Sequence, residues 1–427
     1  MNFTQSTHYL KQAKKIIPLA SQTFSKSYLQ YPPGVSPVAI DHAQGAYAYD
    51  IDGNCYLDMV NSLAAIILGY CDPDVNEAVK KQLDKGTIFS LPSPVELEVS
   101  QLLVDIVPCA EMVRFGKNAS DATTASIRLS RAKTGKDRIA VCGYHGWHDW
   151  YIGTTTRSAG VPKSVTELTD SFVYNDIASL ASLFEKNKNQ YAAVILEPMN
   201  AQWPQHDFLK NVQALCKEQG VILIFDETVT GFRYGLSGAQ GLFNVEPDLC
   251  VLGKGMANGF PLSAVVGKAE IMQGFEDIFF STTFGGETLS LAAAKATILK
   301  LQQTDAAASI YSFGVKLKTR LNDSISQHGL SDKIKIHAHP AWSFVDLSGF
   351  IGIDAMKLKT LYIQTMLANN IICLGTHNIS YAFKDKELEL LCLAYDDFFK
   401  LLTKINNEID LDAMLTVPPL QPIMKIR

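Results

Sequence analysis

The chain has 427 residues, 47% hydrophobic and 19% charged, with a formal net charge of -5. That length suits one large domain plus a smaller one, and the mild acidity leaves no electrostatic footprint for nucleic acid or an anionic membrane. No apolar run reaches membrane-spanning length, no signal peptide is indicated, and eight scattered cysteines without a Cys-x-x-Cys pair indicate reduced thiols in a cytoplasmic protein.

In chain order, the spacing predicts a short amphipathic helix from Tyr9 to Ala20 and a loop, Tyr31-Pro32-Pro33-Gly34-Val35-Ser36-Pro37. A hairpin follows: Ala46 to Tyr49, a turn at Asp52-Gly53, then Cys55 to Leu57. Val95 to Val107 has helical spacing. Val141-Cys142, Ala192 to Leu196, Val221 to Phe225 and Leu249 to Leu252 are short apolar runs, as in a sheet buried on both faces. Phe208 to Gln219 puts Phe208, Val212 and Leu215/Cys216 on one helical face and stops at Gly220. Strand–helix–strand alternation of this kind argues a parallel α/β sheet. The expected organisation is an N-terminal segment (1–70) packing with a small C-terminal domain (311–427), around a large domain (71–310).

Several strand ends carry candidate chemistry. Asn118, Ala119 and Ser120 open a helix, where free N–H groups and the dipole favour an anion; an ordinary helix cap is the alternative. Tyr144 follows the Val141-Cys142 strand and could stack on a planar cofactor. The neighbouring His145, Trp147 and His148 suit a packed loop, and two histidines with only Asp149 nearby make a poor metal site. Glu197 ends the next run, by default as a structural acceptor, with Gln202 just beyond. Asp226 ends the Val221–Phe225 run, and Lys254 sits between Gly253 and Gly255 after the Leu249–Leu252 run. Asp226-Glu227 could be a metal pair or a Walker-B end, but no Gly-x-x-x-x-Gly-Lys-Ser/Thr loop occurs. Ligands bind beyond the carboxyl ends of strands in open α/β sheets. An acid and an amine there suit pyridoxal 5'-phosphate, the acid partnering the pyridine nitrogen and the amine forming a Schiff base with the aldehyde.

The stretch Asp226-Glu227-Thr228-Val229-Thr230-Gly231-Phe232-Arg233, with Pro247-Asp248 through Gly253-Lys254, resembles the class III, fold type I pyridoxal-phosphate aminotransferases. Within them the nearest likeness is to the glutamate-1-semialdehyde 2,1-aminomutases, from about Ile16 to residue 400. The resemblance implies a mostly parallel seven-stranded sheet flanked by helices, with a smaller α/β domain. It implies Lys254 as the Schiff-base lysine and Asp226 as the pyridine-nitrogen partner. Tyr144 would stack on the ring, Gln202 would bond the phenolic oxygen, and Asn118, Ala119 and Ser120 would occupy the phosphate cradle. Thr283 matches a threonine that reaches the partner subunit's phosphate, which implies a homodimer.

The chain also departs from that pattern. Where the aminomutases carry a carboxylate-gripping arginine, Gly34-Val35-Ser36-Pro37-Val38 is one residue shorter and continues with Ala39. Bidentate carboxylate recognition is lost at this spot. The polar and aromatic residues Trp147, Glu197, His377 and Asn378 are candidate substrate contacts, in a lining suited to a hydroxyl-rich ligand. The expected activity is amino transfer from a donor such as glutamate to an aldehyde or ketone, an oxo-sugar or similar intermediate of surface-polysaccharide or secondary metabolism. The alternative enzyme is glutamate-1-semialdehyde 2,1-aminomutase, making 5-aminolevulinate. A cofactor-binding protein without turnover is a third class, disfavoured because Lys254 and Asp226 are both present.

Overall fold

The computed structural model describes residues 1–422. It divides into two compact units, one of residues 73–307 and one joining Met1–Asp72 to the described residues from Ala308 onward.

The second of these begins with a helix, Thr4–Ile16. It ends four residues earlier than the spacing predicts, because Pro18 disfavours helical geometry at the residue before it; Ile17 is extended, with φ -123° and ψ 114°. Strands β1 (Ile40–Gln44), β2 (Tyr47–Asp50) and β3 (Cys55–Asp58) form an antiparallel meander.

The larger unit is built on a seven-stranded sheet. Its strands are β4 (Met112–Gly116), β5 (Arg138–Cys142), β6 (Thr169–Ser171), β7 (Tyr191–Leu196), β8 (Ile222–Asp226), β9 (Leu249–Leu252) and β10 (Ser263–Gly267). They lie in the order β4-β10-β9-β8-β7-β5-β6, and β10 runs against both its neighbours while the other pairs are parallel. This is the mostly parallel α/β sheet expected. Strands β7 to β10 are buried along their whole length, so period-2 alternation splits their side chains between two cores. Ile222 and Ile224 face one core with Leu129 of the helix Ala119–Thr134. Leu223 and Phe225 face the other, with Phe208 and Val212 of the helix Phe208–Gln219.

The remaining strands belong to the smaller unit, with the N-terminal meander. β11 (Lys335–His339), β12 (Trp342–Asp346) and β14 (Thr376–Asn378) make a second antiparallel sheet, and β13 (Ile371–Ile372) joins the meander parallel to β3, Ile371 opposite Leu57.

Candidate active site

Asp226 is the last residue of β8 and is buried. By alternation it follows Ile224 onto the face covered by the helix Ala119–Thr134. Its Oδ2 lies 2.9 Å from His145 Nδ1, and its Oδ1 accepts the Thr228 N–H at 3.1 Å and the Thr228 hydroxyl. Burial alone would raise the pKa of this carboxyl, but the His145 bond and charge, with the Thr228 donors, hold it below the ordinary carboxylate range. His145 is also buried, and its Nε2 lies 3.2 Å from the Cys142 carbonyl. Both ring nitrogens therefore face oxygen acceptors. The lowered pKa of Asp226 favours its ionised form.

Lys254 follows β9 at φ 43°, in the left-handed region that glycine ordinarily fills. Burial pushes the amine's pKa down, Glu197 and then Asp226 push it back up, and Arg233 adds to the lowering. A Cβ on the preceding Gly253 would sit 3.6 Å from both Ala119 Cβ and Thr228 Cγ2. The helix start, the segment after Asp226 and the lysine turn thus meet within van der Waals distance.

The helix Ala119–Thr134 begins with Asn118, whose N–H is taken by the Asp121 carboxylate at 2.8 Å. The first-turn N–H groups of Ala119 and Ser120 have no intrahelical acceptor. Lys117, just ahead, pairs with Glu287 at 2.9 Å, and Glu287 in turn caps the helix Thr288–Gln303. Gly146, at φ 102°, crosses this helix start so closely that a Cβ there would fall 2.2 Å from Ser120 Oγ. The Trp147 N–H donates to the same oxygen at 3.3 Å. Tyr144 stands on this loop, 48% exposed as a residue, with its ring edge-on to Tyr151.

Glu197 leaves β7 beside Asp226, since Leu196 pairs with Phe225. Lys254, Asp226, Tyr144, Glu197, Ala119 and Ser120 are therefore brought together, while other expected residues lie differently. Asn118 is exposed at the helix cap, and Thr283 lies in the exposed stretch 281–284. Gln202 is exposed with its Oε1 3.4 Å from Asn175 Nδ2, and Asn200 is the loop residue that reaches Glu197, at 2.9 Å. Trp147 is 65% exposed, edge-on to His148. His377 and Asn378 belong to β14 of the other unit. His377 has both ring nitrogens engaged, with Ser343 Oγ at 2.8 Å and the Tyr395 hydroxyl. Asn378 donates to the Val60 carbonyl at 2.8 Å.

His145 is the residue the sequence did not single out for this chemistry. It lay in view beside Tyr144, but its partner is 81 residues away. His148 instead bonds Thr124 Oγ1 at 2.7 Å, and among the described residues no cluster of three His, Cys, Asp or Glu could hold a metal ion.

The donor set fits a phosphorylated pyridine aldehyde: N–H groups at a helix start, an exposed aromatic face, a carboxylate kept ionised and a desolvated amine. Comparison with known proteins points the same way. The aminotransferase class-III family profile matches residues 30–337. A 3-aminobutyryl-CoA aminotransferase of Cloacimonas acidaminovorans is 33% identical over 398 residues, covering 91% of this chain and 95% of its own. A glutamate-1-semialdehyde 2,1-aminomutase of Francisella philomiragia is 37% identical over 350 residues, or 74% of this chain and 78% of its own. Among solved structures, the PLP-carrying FumI protein of Sphingopyxis sp. MTA144 superposes with a TM-score of 0.87 at 24% identity, covering 98% of this chain and 99% of its own. A glutamate-1-semialdehyde aminomutase of Pseudomonas aeruginosa PAO1 gives 0.83 at 22% identity, with 93% and 94% covered.

Proposed function

The chain belongs to the class-III aminotransferase family, and from that premise we propose that it moves an amino group from a donor such as glutamate to an aldehyde or ketone. The observation that carries this is the meeting of Lys254, after β9, an ionised Asp226, at the end of β8, and the Ala119 helix start, after β4. Pyridoxal 5'-phosphate bound there supplies an aldehyde that takes up amines and a ring that absorbs negative charge. Ala119 and Ser120 would hold its phosphate by their N–H groups, Tyr144 would cover a ring face, and Gln202 would approach the phenolic oxygen after its loop turns. Asp226 would keep the ring nitrogen protonated, with His145 holding the carboxylate in its ionised form. Lys254 would bond the aldehyde carbon at rest. Its Nζ would also serve as the base that moves the proton at the substrate carbon.

The acceptor in this proposal is a carbonyl compound not gripped by a guanidinium–carboxylate fork, because Ala39 follows the Gly34–Val38 stretch. Oxo-sugars are one such class, and the name of the Cloacimonas relative adds oxo acyl thioesters as a second. The alternative is the aminomutase reaction, favoured by the Francisella relative. We further propose a cytoplasmic homodimer in which Thr283 reaches the partner's cofactor phosphate. Its stretch is exposed beside Phe284 and near Phe279, which is 82% exposed, an apolar patch suited to a second copy.

The test is a screen of amino donors, glutamate first, for conversion of the bound aldehyde to its amine form by absorbance. Oxo-sugars and oxo acyl thioesters are then offered as acceptors. Net nitrogen transfer to a second molecule is expected. Rapid 5-aminolevulinate release from glutamate-1-semialdehyde alone, with no transfer to any acceptor, would establish the alternative.

A further inference from the structure

One oxygen of Glu197 accepts two hydrogen bonds. Its Oε2 accepts the Tyr144 N–H at 3.0 Å and Asn200 Nδ2 at 2.9 Å. Gly143, at φ 110°, makes room for the carboxylate: a Cβ there would stand 2.5 Å from that same oxygen. The backbone beside Tyr144 is therefore shaped around one carboxylate oxygen. The pairing of β7, β8 and β9 sets Glu197, Asp226 and the lysine turn on neighbouring strand ends, about 5 Å apart strand to strand.

We propose that Glu197 is a positioning residue that clamps the backbone of Tyr144 and, through its negative charge, holds a proton on Lys254 until the cofactor aldehyde arrives. This rests on the proposed cofactor site. The charged groups acting on Lys254 are Glu197 first, then Asp226, with Arg233 opposing them. Burial, followed by the Asp226 charge, raises the Glu197 carboxyl, and His145 lowers it. Amine and acid are thus drawn towards each other in proton affinity, and the charge on Glu197 decides which pH frees the amine.

The experiment measures capture of pyridoxal phosphate by the full chain stripped of cofactor, as a rate against pH, from the absorbance of the protein-bound aldehyde. Only the neutral amine attacks an aldehyde, so the wild-type rate rises with pH. Glu197→Gln keeps an oxygen for the Tyr144 N–H but removes the charge. Its profile is expected to move to lower pH by about one unit, with the circular dichroism of the bound cofactor unchanged. Glu197→Ala should show the same displacement and also lose that dichroism, because Tyr144 is no longer fixed. Glu197→Asp keeps the charge and guards against a folding defect in the other two; its profile should stay with wild type. A Gln profile that coincides with wild type overturns the charge role. An Ala variant with normal dichroism overturns the clamp. Wild-type protein that captures no cofactor at all would instead refute the proposed function itself.

Discussion

Two buried histidines, His145 in the larger unit and His377 in the smaller, sit in polar clusters of different composition. His145 faces a carboxylate and a carbonyl, both acceptors only. His377 faces the hydroxyls of Ser343 and Tyr395, and the chain runs on from Tyr395 to the Tyr362 hydroxyl at 2.7 Å and to Cys373 Sγ. Every group after the ring in that second chain can donate or accept, so it closes with a neutral imidazole. Burial, with the Lys318 charge adding to it, lowers the His377 pKa to about 3. Buried polarity is common to both clusters and marks neither as a reactive site. What separates them is net charge at a set of strand ends: the first keeps an ionised carboxylate beside an amine, while the second keeps everything neutral. The first arrangement suits chemistry, the second a specified core.

The hardest blow to that contrast is Lys254→Ala. It should abolish the covalent link to the cofactor, read as an unmodified Lys254-region peptide after borohydride reduction, and lower turnover about ten-thousand-fold or more. A cofactor still covalently attached in this variant would remove the lysine from the role proposed for it. Asp226→Asn comes next. It keeps the shape, removes the charge, and should cost roughly a hundred- to a thousand-fold in turnover. Because it leaves His145 without its anion, it should also lower stability by about 3 kcal/mol, measured by urea unfolding. The Asp226 pKa is depressed in the folded chain, so its stabilisation is present above the model-peptide value of 3.8 and lost as pH falls through the lower folded one. The Asn variant should therefore show a shallower loss of stability in acid below that value.

Strands β7, β8 and β9 were legible because burial on both faces leaves them no polar side, and their continuous apolar runs stand out. Strand β4 was missed for the opposite reason. It is an edge strand whose residues alternate between exposed and half-buried until Gly116, so it carries no such run. β10 is fully buried, but its antiparallel seat between β4 and β9 follows no helix-crossover pattern. Strand-end positions pointed to Asp226, Glu197 and Lys254, since a residue that ends a buried run comes out at the carboxyl end of the sheet. What each one touches did not follow, because partners such as His145 and Tyr144 come from a loop more than fifty residues away in the chain. Gln202 lies five residues beyond Glu197, and the structure sets its Oε1 3.4 Å from Asn175 Nδ2. The count of seven strands and the expectation for Thr283 came from family resemblance, which periodicity could not have supplied.

The smallest effect tests the neutral half of the comparison. An unfolded histidine takes up a proton near 6.5, whereas His377 in the folded chain resists protonation down to about 3. The folded pKa lies below the unfolded one, so the unfolded state binds more protons in that window and stability falls as pH drops from 6.5 towards 3. The slope from this one residue is at most about 1.4 kcal/mol per pH unit. His377→Gln keeps a donor and an acceptor between Ser343 and Tyr395 but cannot titrate. Urea unfolding at several values between pH 6.5 and 5 should show a flatter decline than wild type. Turnover at neutral pH should stay within about twofold per molecule of folded protein, as expected for a substitution that alters packing alone. A selective fall in turnover, with the pH dependence of stability unchanged, would mean that His377 contacts substrate after all, and that its hydroxyl chain is as reactive as the carboxylate cluster it is contrasted with.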